Sequence, residues 1–181
     1  MIRILAMSGS LRGASASTAL VRAAAALSLD GLSVSVYEGL GSLPAFNPDH
    51  DREPAPAPVA AFRAAIMASN ALLIATPEYA HGVPGALKNA LDWIVGSGEL
   101  MDRAVGCLNP SPHSLFAHPQ LIETVSVMSA RVVAEASIVV PVAGRKLDPA
   151  GILADAGLAS VLSSALRALA MAARPVSITD C

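Results

Sequence analysis

Aromatic side chains are scarce in this chain of 181 residues: one Trp, two Tyr and three Phe, 3% in all. A nucleic-acid surface built on stacked aromatics has no material here, and each aromatic residue present gains weight. Cysteine is nearly absent. Cys107 and Cys181 stand far apart with no CxxC pair. This argues against a disulfide framework or a cysteine metal site and leads us to expect a cytoplasmic protein. The four histidines, at positions 50, 81, 113 and 118, show no i, i+4 metal spacing, so no metal is expected. Charged residues make up 14% and the net charge is -2. No basic field exists to hold nucleic acid or anionic lipid, and the chain is not acidic enough for a charge-steered electron carrier. No window approaches ~18 uninterrupted apolar residues, so no membrane span is expected. The apolar stretch at residues 1–7 is too short for a signal-peptide core before Ser8, Ser10 and Arg12 interrupt it.

What the chain does have is a hydrophobic share of 54%, much of it alanine, and a length that suits one domain. A single domain over residues 1–181 is expected, with a tail from about 174. No internal repeat is visible. The pattern alternates. Residues 2–7, 32–36, 70–76 and 104–108 are short apolar runs that read as strands, and residues 132–142 contain a fifth. Between them, Leu20, Ala23, Ala24 and Leu27 share one helical face. Val59, Phe62 and Ile66 share another, as do Leu87, Ala90, Leu91 and Ile94. Pro84 suits the first position of that third helix. Leu121, Val125 and Met128 mark a fourth, and Leu158, Val161, Leu162, Ala165 and Leu169 a last. Residues 39–58 hold five of the thirteen prolines and read as a long ordered loop.

Buried strands alternating with helices imply a parallel sheet covered on both faces. Five strands favour a doubly wound α/β sheet in the order 2-1-3-4-5, which binds ligands beyond the carboxyl ends of strands 1 and 3. The loops placed there are residues 8–17, 77–84 and 109–114.

The first loop offers Ser10, Arg12, Ser15, Ser17 and Thr18 at the start of a helix, where free amides and the helix dipole favour an anion. It is neither GxGxxG nor GxxxxGK[ST], so a dinucleotide fingerprint and an ATP loop are both unsupported. The plainer reading is that its serines cap the helix and Arg12 is solvated. The second loop, Pro77-Glu78-Tyr79-Ala80-His81-Gly82-Val83-Pro84-Gly85, is stiffened by two prolines and opened by two glycines. Tyr79 could face a flat cofactor ring or simply pack with its hydroxyl satisfied locally. Glu78 could face solvent or pair with an arginine. His81 could donate a proton, though a lone loop histidine is more often just exposed.

Taken together, Gly9-Ser10-Leu11-Arg12 with Ser15, and Pro77-Glu78-Tyr79, Pro84-Gly85, Leu87-Lys88-Asn89-Ala90 and Asp92-Trp93, resemble the signatures of the NADPH-dependent FMN reductase family of flavodoxin-like proteins. That family includes quinone, chromate and azo-dye reductases. The resemblance spans about residues 2–170 and implies FMN, with NADPH or NADH as co-substrate. Hydride would pass through flavin N5 to a small acceptor such as a quinone, free flavin or chromate, with no dedicated catalytic residue. It implies that Ser10, Leu11, Arg12, Ser15 and Ser17 surround the phosphate. Pro77, Glu78, Tyr79, Ala80, His81 and Gly82 would line the ring and ribityl chain, and Asn109 and Ser111 would touch the ring's other edge. It also implies a homodimer or homotetramer with Lys88, Asn89, Asp92 and Trp93 near the subunit contact. Two departures stand out: Ser17 and Ala80 both replace asparagines, and Ala80 has lost a side-chain amide. The alternatives are a flavin-binding electron carrier or sensor without its own NAD(P)H turnover, and a fold that has lost its cofactor.

Overall fold

Strands without a polar face must be covered on both sides. β3 (Ala71–Ala75) and β4 (Ala104–Leu108) are buried at every position. The structure, a computed structural model that describes residues 1–173, covers them as this requires. β1 (Ile2–Ser8) and β2 (Leu32–Tyr37) lie to one side and β5 (Arg131–Val132) to the other, all parallel, in the order β2-β1-β3-β4-β5. The helices are α1 (Ala16–Ala26), α2 (Ala57–Met67), α3 (Gly85–Asp92), α4 (Ala117–Val127), α5 (Pro149–Ala154) and α6 (Ala156–Ala172). One core packs α1 and α6 against Ile4, Ala6, Leu73 and Leu108. The other packs α2, α3 and α4 against Leu5, Met7, Leu72 and Ile74. Alternate residues of β1 thus feed opposite cores, as the period of a strand demands.

The register decides where the loops emerge. Ser8 pairs with Ala75, and Ala75 with Leu108, so β1, β3 and β4 end at one edge of the sheet. Gly9 leaves that edge under tight restraint. Its amide donates to the Ala75 carbonyl at 2.8 Å, and a Cβ there would lie 2.7 Å from Thr76 Oγ1 and 3.0 Å from Leu87 Cδ2.

Three expectations need correction. The fifth strand is interrupted: β5 ends at Val132, and Ala134–Ala136 forms a 3₁₀ turn. Parallel pairing resumes as a single bridge between Asn109 and Val139. The turn fits because Gly106 beneath it has no side chain; a Cβ there would sit 2.8 Å from that of Ala136. The Ser137 hydroxyl accepts the Cys107 amide at 3.1 Å in place of a ladder carbonyl. Pro84 caps α3 from outside instead of occupying its first turn, and α3 stops at Asp92. A short helix unmarked in the sequence, α5, is capped by Asp148, whose Oδ1 accepts the Gly151 amide at 2.7 Å. The expected tail and Cys181 lie outside the described residues.

The long loop between β2 and α2 is held from α3. Trp93 Nε1 and Asn89 Nδ2 both donate to the Pro44 carbonyl, at 2.8 and 2.9 Å, and Asn89 Oδ1 accepts the Phe46 amide at 2.7 Å. Asn89 and Trp93, expected near a subunit contact, make these bonds within the chain. Lys88 and Asp92 face outward and pair with each other at 2.5 Å.

Phe62 is fully buried, with its ring 4.9 Å from that of Tyr37. Phe62→Ala is expected to lower the unfolding free energy by about 3–5 kcal/mol. In a urea titration the midpoint should fall at unchanged slope.

Candidate functional site

At the first loop, Ser15 is the N-cap of α1. Its hydroxyl accepts the Thr18 amide at 3.0 Å and donates to Thr18 Oγ1 at 2.7 Å. Thr18 in turn donates to the Arg12 carbonyl at 3.0 Å and lies 3.0 Å from the Ser8 hydroxyl. Ser8, Ser15 and Thr18 therefore hold the shape of the loop, as the capping reading anticipated for Ser15. What they leave open is the main chain. The amides of residues 13–17 have no acceptor among the described residues. The exposed Arg12 guanidinium has no partner among them either. Leu11 is 64% exposed at the rim. Ser17 is 1% exposed, and its buried hydroxyl has no hydrogen-bond partner among the described residues. A buried orphan hydroxyl is unfavourable. Free amides, a free guanidinium and an orphan hydroxyl at one helix start are the donor set that a phosphate needs.

At the second loop the chain reverses sharply. Tyr79 and Gly82 exchange both backbone hydrogen bonds, at 3.1 and 3.0 Å. The two residues between them are left-handed, Ala80 at φ 49° and His81 at φ 58°. A left-handed alanine costs roughly 1–2 kcal/mol, whereas asparagine tolerates the conformation. Position 80 thus departs from the family pattern in backbone fit as well as in a lost amide. Thr76 Oγ1 donates to the Pro77 carbonyl at 3.0 Å at the base of the loop. Tyr79 is 52% exposed, and its hydroxyl lies 3.3 Å from the Ser10 hydroxyl, so the first two loops meet.

Glu78 neither faces solvent alone nor pairs with an arginine. Its Oε2 accepts the amides of Phe116 and Ala117, at 2.7 and 2.9 Å, and thereby caps α4 from another loop. The Ala117 amide bond above all, helped by the Phe116 bond and the charge of His81, holds its carboxyl below the usual range against the opposing effect of burial. Gln120 Oε1 accepts the Val83 amide at 2.7 Å, and the His81 and Phe116 rings stack at 4.3 Å. Phe116 and Gln120 were not singled out in the sequence. Phe116 could have been, as one of three phenylalanines just past the third loop.

The polar side chains of the third loop bond within it. Asn109 is buried; its Nδ2 donates to the Ser114 carbonyl and its Oδ1 accepts the Ser111 amide, both at 3.0 Å. Ser111 Oγ accepts the His113 amide at 3.2 Å. Both side chains of this pair, expected at a ring edge, are engaged within the loop. Nearby, burial pushes the Cys107 thiol up to about 12, so it is no nucleophile at neutral pH. Among the described residues no group of His, Cys, Asp and Glu could hold a metal, and no helix is long and apolar enough to cross a membrane.

Two outcomes are expected. Ala80→Asn should raise the unfolding free energy by roughly 1 kcal/mol in chemical denaturation, because the turn needs a left-handed residue there. The folded Glu78 carboxyl has a depressed pKa, so its capping bonds persist above the ordinary carboxylate range and fail as pH falls through the depressed value. Protection of the Phe116 and Ala117 amides from hydrogen exchange should drop there, and Glu78→Gln should abolish that pH dependence.

The chain is similar to known proteins in sequence and in fold. The family model of NADPH-dependent FMN reductase matches residues 2–144. A probable NADPH:quinone oxidoreductase of Oryza sativa is 42% identical over 96 residues, 51% of this chain and 47% of that protein. An NAD(P)H-dependent FMN reductase of Pseudomonas aeruginosa is 40% identical over 92 residues, 51% of this chain and 49% of that one. The chain thus spans about half the length of the curated relatives it matches. In fold it is similar to the flavoenzyme NAD(P)H:(acceptor) oxidoreductase FerB from Paracoccus denitrificans. The TM-score is 0.74 at 23% identity, over 96% of this chain and all of that one. With a match across all five strands and the three loops at their ends, this chain belongs to the NADPH-dependent FMN reductase family.

Proposed function

We propose that the chain carries a single domain that binds FMN and acts in the cytoplasm. It would use the cofactor to pass hydride from NADPH or NADH to a small acceptor such as a quinone, free flavin or chromate. The observation that carries this reading is the 3.3 Å approach of the Ser10 and Tyr79 hydroxyls, which joins an anion-binding helix start to a rigid turn. Family membership supports it independently. When bound, FMN would supply the redox chemistry of hydride transfer from the nicotinamide to the acceptor.

The chain's own part is positioning. Arg12 and the amides of residues 13–17 would hold the phosphate, with Ser10, Leu11, Ser15 and Ser17 around it. Ser15 acts chiefly by fixing the helix start that aims those amides. Pro77, Glu78, Tyr79, Ala80, His81 and Gly82 would support the ring and ribityl chain. In that segment Glu78 works as a positioning residue, tying the turn to α4. Asn109 and Ser111 would shape the opposite edge by keeping the third loop compact. No side chain is assigned a proton transfer, because the ionisable Glu78 is already engaged with two amides. A homodimer or homotetramer is proposed, with the outward pair Lys88 and Asp92 near the contact.

Purified protein is expected to be yellow, or to quench added FMN fluorescence, and to oxidise NADPH steadily with a quinone. Colourless protein that neither takes up FMN nor turns over would rule the reading out. Flavin binding without NADPH turnover would favour an electron carrier. Arg12→Ala should weaken FMN binding by about tenfold or more, the loss of one charge-assisted phosphate contact. Its thermal unfolding without flavin should be unchanged, since that side chain is exposed.

A further inference from the structure

A cavity of about 500 Å³ lies between the start of α1 and residues 142–149. It is bounded by residues 13–16 of the first loop, but by none of residues 77–82 or 109–114. It is therefore distinct from the proposed ring site and contiguous with the proposed phosphate site. Its size falls within the roughly 300–1,000 Å³ of small-molecule sites.

The lining is of three kinds. Val142, Leu147 and Pro149 give an apolar wall. Arg22 and Lys146 give two cations. Lys146 is exposed and has no acidic partner among the described residues, and Arg22 is held only by an exposed pair with Glu38 at 3.0 Å, a weak restraint. Asp148 gives a carboxylate of which one oxygen, Oδ1, is engaged in capping α5. Cations suit a phosphate, a carboxylate can accept from a vicinal ribose diol, and an apolar wall suits a purine face.

We infer that this cavity binds an adenosine phosphate, with its phosphates against Arg22 and Lys146, its ribose at Asp148 and its purine against Val142 and Leu147. The inference rests on the flavin reading, because the loop shared with the cavity is the proposed FMN phosphate cradle. Two molecules carry this chemistry in such a place. One is a flavin dinucleotide, whose adenylate half would continue from a phosphate held at residues 13–15. The other is the adenosine end of NAD(P)H.

The test uses ADP alone, titrated into the FMN-loaded protein and into flavin-free protein while amide resonances are followed by NMR. Saturable shifts at residues 146–148 are expected, weakened about tenfold in Lys146→Glu by the loss of one charge-assisted contact. That variant is outside the proposed FMN site and should keep its melting temperature and FMN affinity. Shifts absent from residues 146–148, or equal affinity in Lys146→Glu, would overturn the assignment. Separate arms distinguish the sources. Tighter binding of FAD than of FMN, lost in Lys146→Glu, identifies the flavin dinucleotide. A raised KM for NADPH with unchanged flavin affinity identifies the nicotinamide cofactor. ADP binding in a protein that takes up no FMN would sink the flavin reading and leave the cavity assignment standing. FMN binding without an ADP response would do the reverse.

Discussion

The parallel pairing of Ser8 with Ala75 is the constraint on which the site depends. It makes β1 and β3 end side by side, so the turns that follow must leave the sheet together. Gly9 then carries the first turn across Thr76 at a distance no side chain would permit without displacement. From that crossing the chain reaches the α1 N-terminus in one direction, while Tyr79 returns above Ser10 from the other. A polar contact between residues 69 apart is thus a consequence of strand order.

The crevice differs in stiffness from side to side. The second loop is clamped to α4 by three acceptor bonds, two from Glu78 and one from Gln120, and by the stacking of His81 on Phe116. These contacts help to hold two left-handed residues that would relax in an isolated peptide. The first loop is braced internally through Thr18, yet the amides of residues 13–17 and the Arg12 guanidinium have no partner among the described residues. A firm platform beside an unsatisfied donor cluster suits a ligand with a flat head and an anionic tail.

Much of this was legible because it rests on local pattern. Strands β3 and β4 were visible as continuous apolar runs since both faces are buried, and Ser15 was visible as a cap. The interruption of β5 was not, because it depends on the absence of a side chain at Gly106, 30 residues before Ala136 and on another strand. Nor was the role of Glu78: nothing near it in sequence reveals that the Phe116 and Ala117 amides are its partners. Asn109 carried the right polarity for a ligand contact, but its amide closes its own loop.

The sequence by itself determined the strand and helix alternation, the 2-1-3-4-5 order that follows from it, and the two loops that meet at the switch point. Those are matters of hydrophobic period and short-range turn chemistry, both written in neighbouring residues. The tertiary structure alone decided which polar groups remain free. Hydrogen-bond partners are chosen by proximity in space, so Thr18 became a brace, Glu78 a helix cap and Asn109 a loop closure. The amides of residues 13–17, the Arg12 guanidinium and the Ser17 hydroxyl were left without a partner among the described residues by the same selection.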